Sequence, residues 1–172
     1  LELACGRGEY TIGLAKKFLE KNFIGIDIKG ARIWRGAKTG MEENLKHVAF
    51  LRIRIESIIQ YFEKNEVAEI WITFPDPFPQ KGAAKKRLTS PRFLDMYKYI
   101  LKSTGIVHLK TDNLELFDYT LEVIQQGGYT LNTFTNDLYQ SDILNDTLKI
   151  QTTYEKKFLQ SGKKINYLNF SF

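Results

Sequence analysis

Two glycines two residues apart, Gly6 and Gly8, follow the short apolar stretch Leu1-Glu2-Leu3-Ala4-Cys5 and precede a helical pattern. This is the opening strand, turn and helix of a nucleotide-binding α/β fold. Glycine permits positive φ and lets a ligand approach the backbone, and the helix start beyond it offers N–H groups without intrahelical partners. A dinucleotide fingerprint would place a third glycine where this sequence has Thr11. Its absence weakens the case for a bound pyrophosphate, which needs a closely packed helix. Glu2, on the strand just before the glycines, would repel an anionic cofactor and attract a cationic one.

S-Adenosylmethionine, with a sulfonium and an amino group, has that character. Asp27 closes the next apolar run, Phe23-Ile24-Gly25-Ile26. It stands about 20 residues after the glycines, where a carboxylate can take both hydroxyls of an adenosine ribose. The expectation is an adenosine-type cofactor of positive charge, and a dinucleotide oxidoreductase is disfavoured by Thr11 and Glu2.

A second constellation is Phe74-Pro75-Asp76-Pro77-Phe78-Pro79. Alternating prolines fix φ and hold the Asp76 carboxylate on a stiff, extended segment. Downstream come Lys81, Lys85, Lys86, Arg87 and Arg92, with no acid until Asp95. A flexible cationic loop beside a reaction site suits a phosphate backbone, although charge runs are more often solvated faces.

The elements that must position these groups alternate. Tyr10 to Lys21 reads as a helix with Ile12, Ala15, Phe18 and Leu19 on one side, and Phe23 to Asp27 as the second strand. A helix is expected from about Ala31 to Leu45, with Ile33, Trp34, Ala37, Met41 and Leu45 at helical spacing and Gly36 and Gly40 allowing close packing. Val48 to Ile55 is the third strand, Ser57 to Glu63 a short helix and Ala68 to Phe74 a buried parallel strand. Ser90-Pro91 starts a helix to about Leu101, with serine as the cap. Gly105 to Lys110 is the fifth strand, and Asp112-Asn113 caps a helix from Leu114 to Gln126 that Gly127-Gly128 ends. Tyr129 to Phe134 and Ile165 to Phe172 supply the last strands, with one antiparallel hairpin edge. The pattern is that of an α/β, doubly wound, mostly parallel sheet. Ligands bind such sheets at the carboxyl ends of the strands, where Gly6, Gly8, Asp27, Glu56, Asp76 and Asp112 should gather.

A chain of 172 residues with 43% hydrophobic and 26% charged residues is expected to fold as one domain, 1–172. No apolar run approaches the ~20 residues of a membrane helix, so no membrane partner is expected. The sequence opens inside a strand without a methionine, so a preceding segment is expected, and any targeting signal lies outside it. The single cysteine, Cys5, fits a reducing cytoplasm and reads as a small residue under the glycine turn. His47 and His108 lack neighbours at metal-ligand spacing, and the acidic stretch Asn136 to Asp146 reads as a solvated loop or short helix, so no metal is expected. Net charge is +5 and the pI about 9.2, which favours anionic partners.

Together these features resemble the bacterial tRNA (guanine-N7-)-methyltransferases, S-adenosylmethionine-dependent enzymes of the Rossmann-like class. The resemblance runs from Glu2 to the last strand. It is carried by Glu2 to Gly8, Phe23 to Asp27, Phe74 to Pro77, Lys85-Lys86-Arg87-Leu88, Pro91 to Leu94, Leu109-Lys110-Thr111-Asp112 and Thr152-Thr153-Tyr154-Glu155. The first segment is shared by many methyltransferases; the proline-flanked aspartate, the basic run and Thr-Asp are far more specific. The resemblance implies a seven-stranded sheet with an antiparallel edge strand. It implies cofactor contacts from Glu2, Gly6, Gly8, Asp27 and Glu56, with S-adenosylhomocysteine as product. It places Asp76 at the catalytic centre, Asp112 and the Thr152 to Glu155 segment around the guanosine, and Lys81, Lys85, Lys86 and Arg87 on the tRNA. The family usually has aspartate at the position of Glu56, and a lysine where this sequence has Gln80 followed by Lys81. It also carries a basic N-terminal extension that is absent here. The implied target is a variable-loop guanosine, number 46 in tRNA numbering, and the assembly a monomer or homodimer.

Guanine N7 has an exposed lone pair, so its methylation needs positioning and electrostatics rather than a general base. Asp76 is expected to be the principal catalytic or positioning acid, with Asp112 and Glu155 gripping the base. Phe78 or Tyr154 could stack on a splayed nucleotide, whereas Trp71 reads as core. The alternatives are a methyltransferase for a small molecule or protein, which has no need of the basic cluster, and a non-catalytic RNA-binding module.

Overall fold

The computed structural model describes residues 1–172. Seven strands form one sheet: β1 (Glu2–Leu3), β2 (Phe23–Asp27), β3 (Val48–Arg52), β4 (Val67–Thr73), β5 (Leu101–Thr111), β6 (Thr130–Thr135) and β7 (Asn166–Ser171), in the spatial order β3-β2-β1-β4-β5-β7-β6. Strands β1 to β5 pair in parallel, and β7 runs antiparallel between β5 and β6, so the antiparallel pairing lies at one edge of the sheet. Helices α1 (Glu9–Lys17), α2 (Gly30–Glu42), α3 (Pro91–Ile100), α4 (Leu114–Gly127) and α5 (Thr153–Gln160) complete the doubly wound arrangement expected from the alternation.

The order reverses at β1, which pairs with β2 on one side and β4 on the other. This is the switch point where α/β sheets open a crevice, and here it carries the two glycines. Successive residues of a strand point to opposite faces, and the core divides accordingly. Leu3, Ile26, Ile72, Leu109 and Leu168 pack against α3 and α4 on one face, while Tyr10, Leu14, Trp71 and Tyr167 fill the other. Trp71 is core, lying flat on His108 with ring centroids 3.7 Å apart. Burial pushes the His108 imidazole down to about 4, so this ring is neutral at physiological pH.

Several boundaries differ from expectation. Helix α1 stops at Lys17, where Phe18 leaves helical geometry (φ −124°), so Leu19, expected on the buried side, is 72% exposed. Helix α2 ends at Glu42 because Asn44 takes a left-handed conformation (φ 54°), and Leu45 lies beyond it. Its periodicity misled as well: Ile33 is buried, but Trp34 is 60% and Met41 83% exposed. β3 is shorter than the apolar pattern because Ile55–Gln60 turns into a 3-10 helix. Ser90 precedes α3 but its hydroxyl donates to the Lys85 carbonyl (3.3 Å) instead of capping. Asn113 alone caps α4, accepting from Leu116 N–H at 2.7 Å. The stretch Asn136 to Asp146 is only partly solvated, since Leu138 is fully buried in the second core.

The Phe50 ring occupies space left by three absent side chains. A β-carbon at Gly8, Gly25 or Gly36 would lie 2.3, 2.6 or 2.6 Å from its atoms, and at Gly36 also 2.8 Å from the Arg7 carbonyl. One aromatic ring thus fixes how closely the glycine loop, β2 and α2 approach. Gly36→Ala is expected to destabilise the fold by about 1–3 kcal/mol through overpacking, read as a lower urea midpoint with unchanged slope.

Candidate active site

The glycine loop is built by backbone geometry and two carboxylates. Gly8 adopts φ 70° and starts α1, with its N–H donating to the Cys5 carbonyl at 2.8 Å. Gly6 (φ 54°) presents its N–H to Asp27 Oδ2 at 2.9 Å, and Lys29 N–H donates to Oδ1 at 2.8 Å. The carboxylate at the end of β2 is therefore locked against the glycine turn.

Glu2 does something other than expected. Its carboxylate is buried and lines neither of the two cavities at the strand ends. It accepts from Thr11 N–H (2.8 Å) and Thr11 Oγ1 (2.5 Å), and from Thr73 Oγ1 (2.7 Å). The residue standing where a third glycine was sought is thus its partner. Burial raises the Glu2 carboxyl to about 7, although the three hydrogen bonds pull the other way. Cys5 is likewise buried and its thiol is pushed far up by burial and by the charges of Glu2 and Asp27, which makes it inert.

Two cavities open at the carboxyl ends of the strands and share Ala4, Arg32 and Phe74. The first, about 430 Å³, is lined by Gly6, Arg7, Glu9, Thr73 and the Thr152-Thr153-Tyr154 run. The second, about 450 Å³, is lined by Asp27, Glu56, Asp76 and Phe78 with Lys85, Lys86 and Arg92. The topology thus brings Gly6, Asp27, Glu56, Asp76, Thr152, Lys85 and Lys86 to one place. Gly8 lies beneath it, filled by Phe50.

Asp76 is exposed on a loop whose stiffness exceeds what its prolines provide. Phe74 (φ 50°) and Phe78 (φ 43°) bracket it in the left-handed region, where bulky residues are strained. Arg87, expected on tRNA, is buried and clamps this loop. It donates to the carbonyls of Pro77 (3.1 Å) and Phe78 (3.0 Å), pairs with Glu115 (2.9 Å) and lies 4.4 Å over the Tyr119 ring. Lys81 is exposed at the start of a 3-10 helix, Lys81–Lys86, outside both cavities. The basic segment is therefore folded where a flexible loop was expected.

Two other expected base contacts are engaged elsewhere. Asp112 pairs with Lys163 at 2.6 Å and lines neither cavity. Glu155 is fully buried against Lys110, at 2.7 Å, and accepts from the Tyr139 hydroxyl at 2.9 Å. Lys110 also donates to the carbonyls of Leu148 (2.9 Å) and Ile150 (3.1 Å). Burial pushes Lys110 down and Glu155 up from their usual values, and each opposes that shift in the other. The pair pins the start of α5 to the end of β5, which sets Thr152 to Tyr154 on the cavity wall. Thr152 caps α5 by accepting from Glu155 N–H (3.1 Å). Glu9 accepts from Thr153 N–H at 2.6 Å and from its hydroxyl, joining the glycine loop to α5. Glu9, Arg32 and Lys110 were missed as site residues; only the Lys110 motif carried any signal of importance.

A sheet of this order, with cavities opening at its switch point, has the Rossmann-like fold found in S-adenosylmethionine-dependent methyltransferases. The fold is similar to that of an S-adenosylmethionine-dependent methyltransferase from Aquifex aeolicus (TM-score 0.65, 15% identity, covering 98% of this chain and 79% of that one). It is also similar to the 16S rRNA methyltransferase KamB (TM-score 0.73, 11% identity, 99% and 86%). Residues 1–168 match a family model described as "Putative methyltransferase". The tRNA (guanine-N(7)-)-methyltransferase of Cytophaga hutchinsonii is 49% identical over 174 residues, covering 100% of this chain and 79% of the relative. That of Porphyromonas gingivalis is 51% identical over 171 residues, covering 99% and 69%. The chain belongs to the tRNA (guanine-N(7)-)-methyltransferase family.

Two outcomes follow from the buried charges. Folding raises the Glu2 carboxyl from 4.5 to about 7, so the folded chain holds a proton that the unfolded chain releases, and this group's contribution to stability falls as pH rises across that window. Relative to wild type, Glu2→Gln should gain about 3 kcal/mol between pH ~4 and pH ~8, read by urea unfolding at each pH. Lys110→Met, which leaves Glu155 buried and unpaired, should cost about 3–5 kcal/mol, and Lys110→Met with Glu155→Gln should recover much of that loss.

Proposed function

We propose that this protein transfers a methyl group from S-adenosylmethionine to N7 of a guanosine in tRNA, acting in the cytoplasm as one catalytic domain. The observation that carries the reading is the meeting of two cavities at Ala4, Arg32 and Phe74, one lined with carboxylates and cations and the other with the Thr152 to Tyr154 run. The names of the relatives support the substrate.

The residues present fit the cofactor. Asp27, oriented by two backbone N–H groups, can accept from ribose hydroxyls, and Glu56 on the same cavity can accept from the adenine amino group. Gly6 leaves open space beside the loop: a β-carbon there would meet nothing within 4 Å. When bound, S-adenosylmethionine supplies an electrophilic sulfonium methyl.

The protein then has to place N7 in line with that methyl and exclude water. Thr152, Thr153 and the half-exposed Tyr154 (50%) form the wall on which the target base lies, Tyr154 offering a ring face for stacking. Asp76, held rigid by Arg87 and by the bracketing phenylalanines, stabilises the positive charge that develops on the purine ring. No proton need leave before attack, so Asp76 works as a charge and a positioning group. Glu155 acts through Lys110 and the start of α5, and Asp112 through its pair with Lys163. Lys81, Lys85 and Lys86 meet tRNA phosphates from the basic segment. The family resemblance favours variable-loop guanosine 46 as the target.

Incubation with labelled S-adenosylmethionine and unmodified tRNA, followed by nucleoside analysis, should yield 7-methylguanosine. Asp76→Ala should lower kcat by about a hundredfold or more, a loss of about 3 kcal/mol of transition-state stabilisation. Near-normal turnover of that variant at saturating tRNA would remove Asp76 from this role.

A further inference from the structure

A third cavity of about 390 Å³ adjoins the first and shares Arg7 and Glu9 with it. Its other walls are Arg35 and Thr39 from α2, Gln151 and Lys156 around the start of α5, and Ile12. Three cations thus converge from the glycine loop, α2 and α5, and all three are exposed. None of them pairs with a carboxylate. The acids at the end of α2 and just beyond it are taken, Glu42 by Lys38 and Glu43 by Lys16, and Glu9, the one acid on the wall, accepts from Thr153 through both its oxygens.

Like charges gathered on a concave surface repel one another and focus a positive potential that an anion would relieve. Two guanidinium groups and an ammonium, with the Thr39 hydroxyl and the Gln151 amide beside them, suit the several acceptor oxygens of a phosphate. The position matters as much as the composition. Lys85, Lys86 and Arg92 line the second cavity, which also adjoins the first but shares no residue with the third. A nucleotide with its base in the first cavity therefore has a cationic surface in each of two adjoining cavities.

We propose that Arg7, Arg35 and Lys156 seat an RNA backbone phosphate adjacent to the target nucleotide, so that the strand is held at a second cationic cavity beside the flipped base. This rests on the reading of the protein as a tRNA methyltransferase, and it adds a phosphate site that the basic segment after β4 does not provide.

The test is tRNA affinity measured by filter binding across a series of salt concentrations for wild type, Arg35→Gln/Lys156→Gln and, separately, Lys156→Glu. Each phosphate contact contributes about 0.7–0.9 to the slope of log K against log salt. The double variant should bind about tenfold more weakly at low salt with a slope shallower by roughly one, and Lys156→Glu should weaken binding as well. S-Adenosylmethionine affinity by calorimetry and melting temperature should match wild type in both. An unchanged affinity, or weaker binding with the wild-type slope, overturns the phosphate site. The slope is read on binding alone, whereas failure of wild type to form 7-methylguanosine in tRNA would instead strike the proposed activity.

Discussion

One buried carboxylate holds together the three elements on which the site stands. Glu2 begins β1, Thr11 lies in the first turns of α1 and Thr73 ends β4, and the Glu2 oxygens accept from both threonines. A hydrophobic side chain at position 2 would fill the space but would leave two threonine hydroxyls and a backbone N–H to find other partners in a dry interior. The acid carries its own cost, visible in a carboxyl raised to about 7. What it secures is a fixed distance between the glycine turn and the end of β4, and hence between the glycine loop and the segment that presents Asp76.

The same logic recurs further along the sheet. Lys110, one register step beyond Leu109 on β5, is paired with Thr73 across the sheet and with Tyr167 on the other side, so it stands at the same carboxyl edge. Its ammonium gathers Glu155 and two carbonyls of the preceding loop. The Thr152 to Tyr154 wall is thereby tied to the sheet by charge, the glycine loop by Glu2, and Glu9 bridges the two through Thr153. The site is a set of loops made rigid by interactions beneath them, with few of the rigidifying groups in contact with the cavity itself.

That division explains what could be read from residue order. Strand positions, the Asp27 terminus and the alternation that places the switch point at β1 all follow from local composition and spacing, and they are where the structure agrees most closely. Thr73, Lys110 and Glu115, which Glu2, Glu155 and Arg87 engage, lie 71, 45 and 28 residues from them, and nothing in a charged residue's neighbours tells whether it faces water or is buried against a distant partner. Arg87 sits in a run of lysines that line a cavity, yet it alone turns inward. Trp34 and Met41 met the helical period of a buried face but project into solvent, because α2 packs through Ile33, Gly36 and Gly40, using glycines that a hydrophobic count passes over.

The placement of β7 bears on how the protein is made. The sixth strand has no neighbour but β7, and β7 is inserted between it and β5. While the chain is being synthesised, β6 therefore waits, with both hydrogen-bonding edges open, until the loop, α5 and Asn166–Ser171 have followed it. Such non-local pairing forms slowly, and an unpaired strand is open to wrong partners in the interval. The segment that carries Thr152 to Tyr154 lies within that delayed stretch, so the glycine loop and the end of β2 can take shape on the ribosome before the wall that α5 contributes exists.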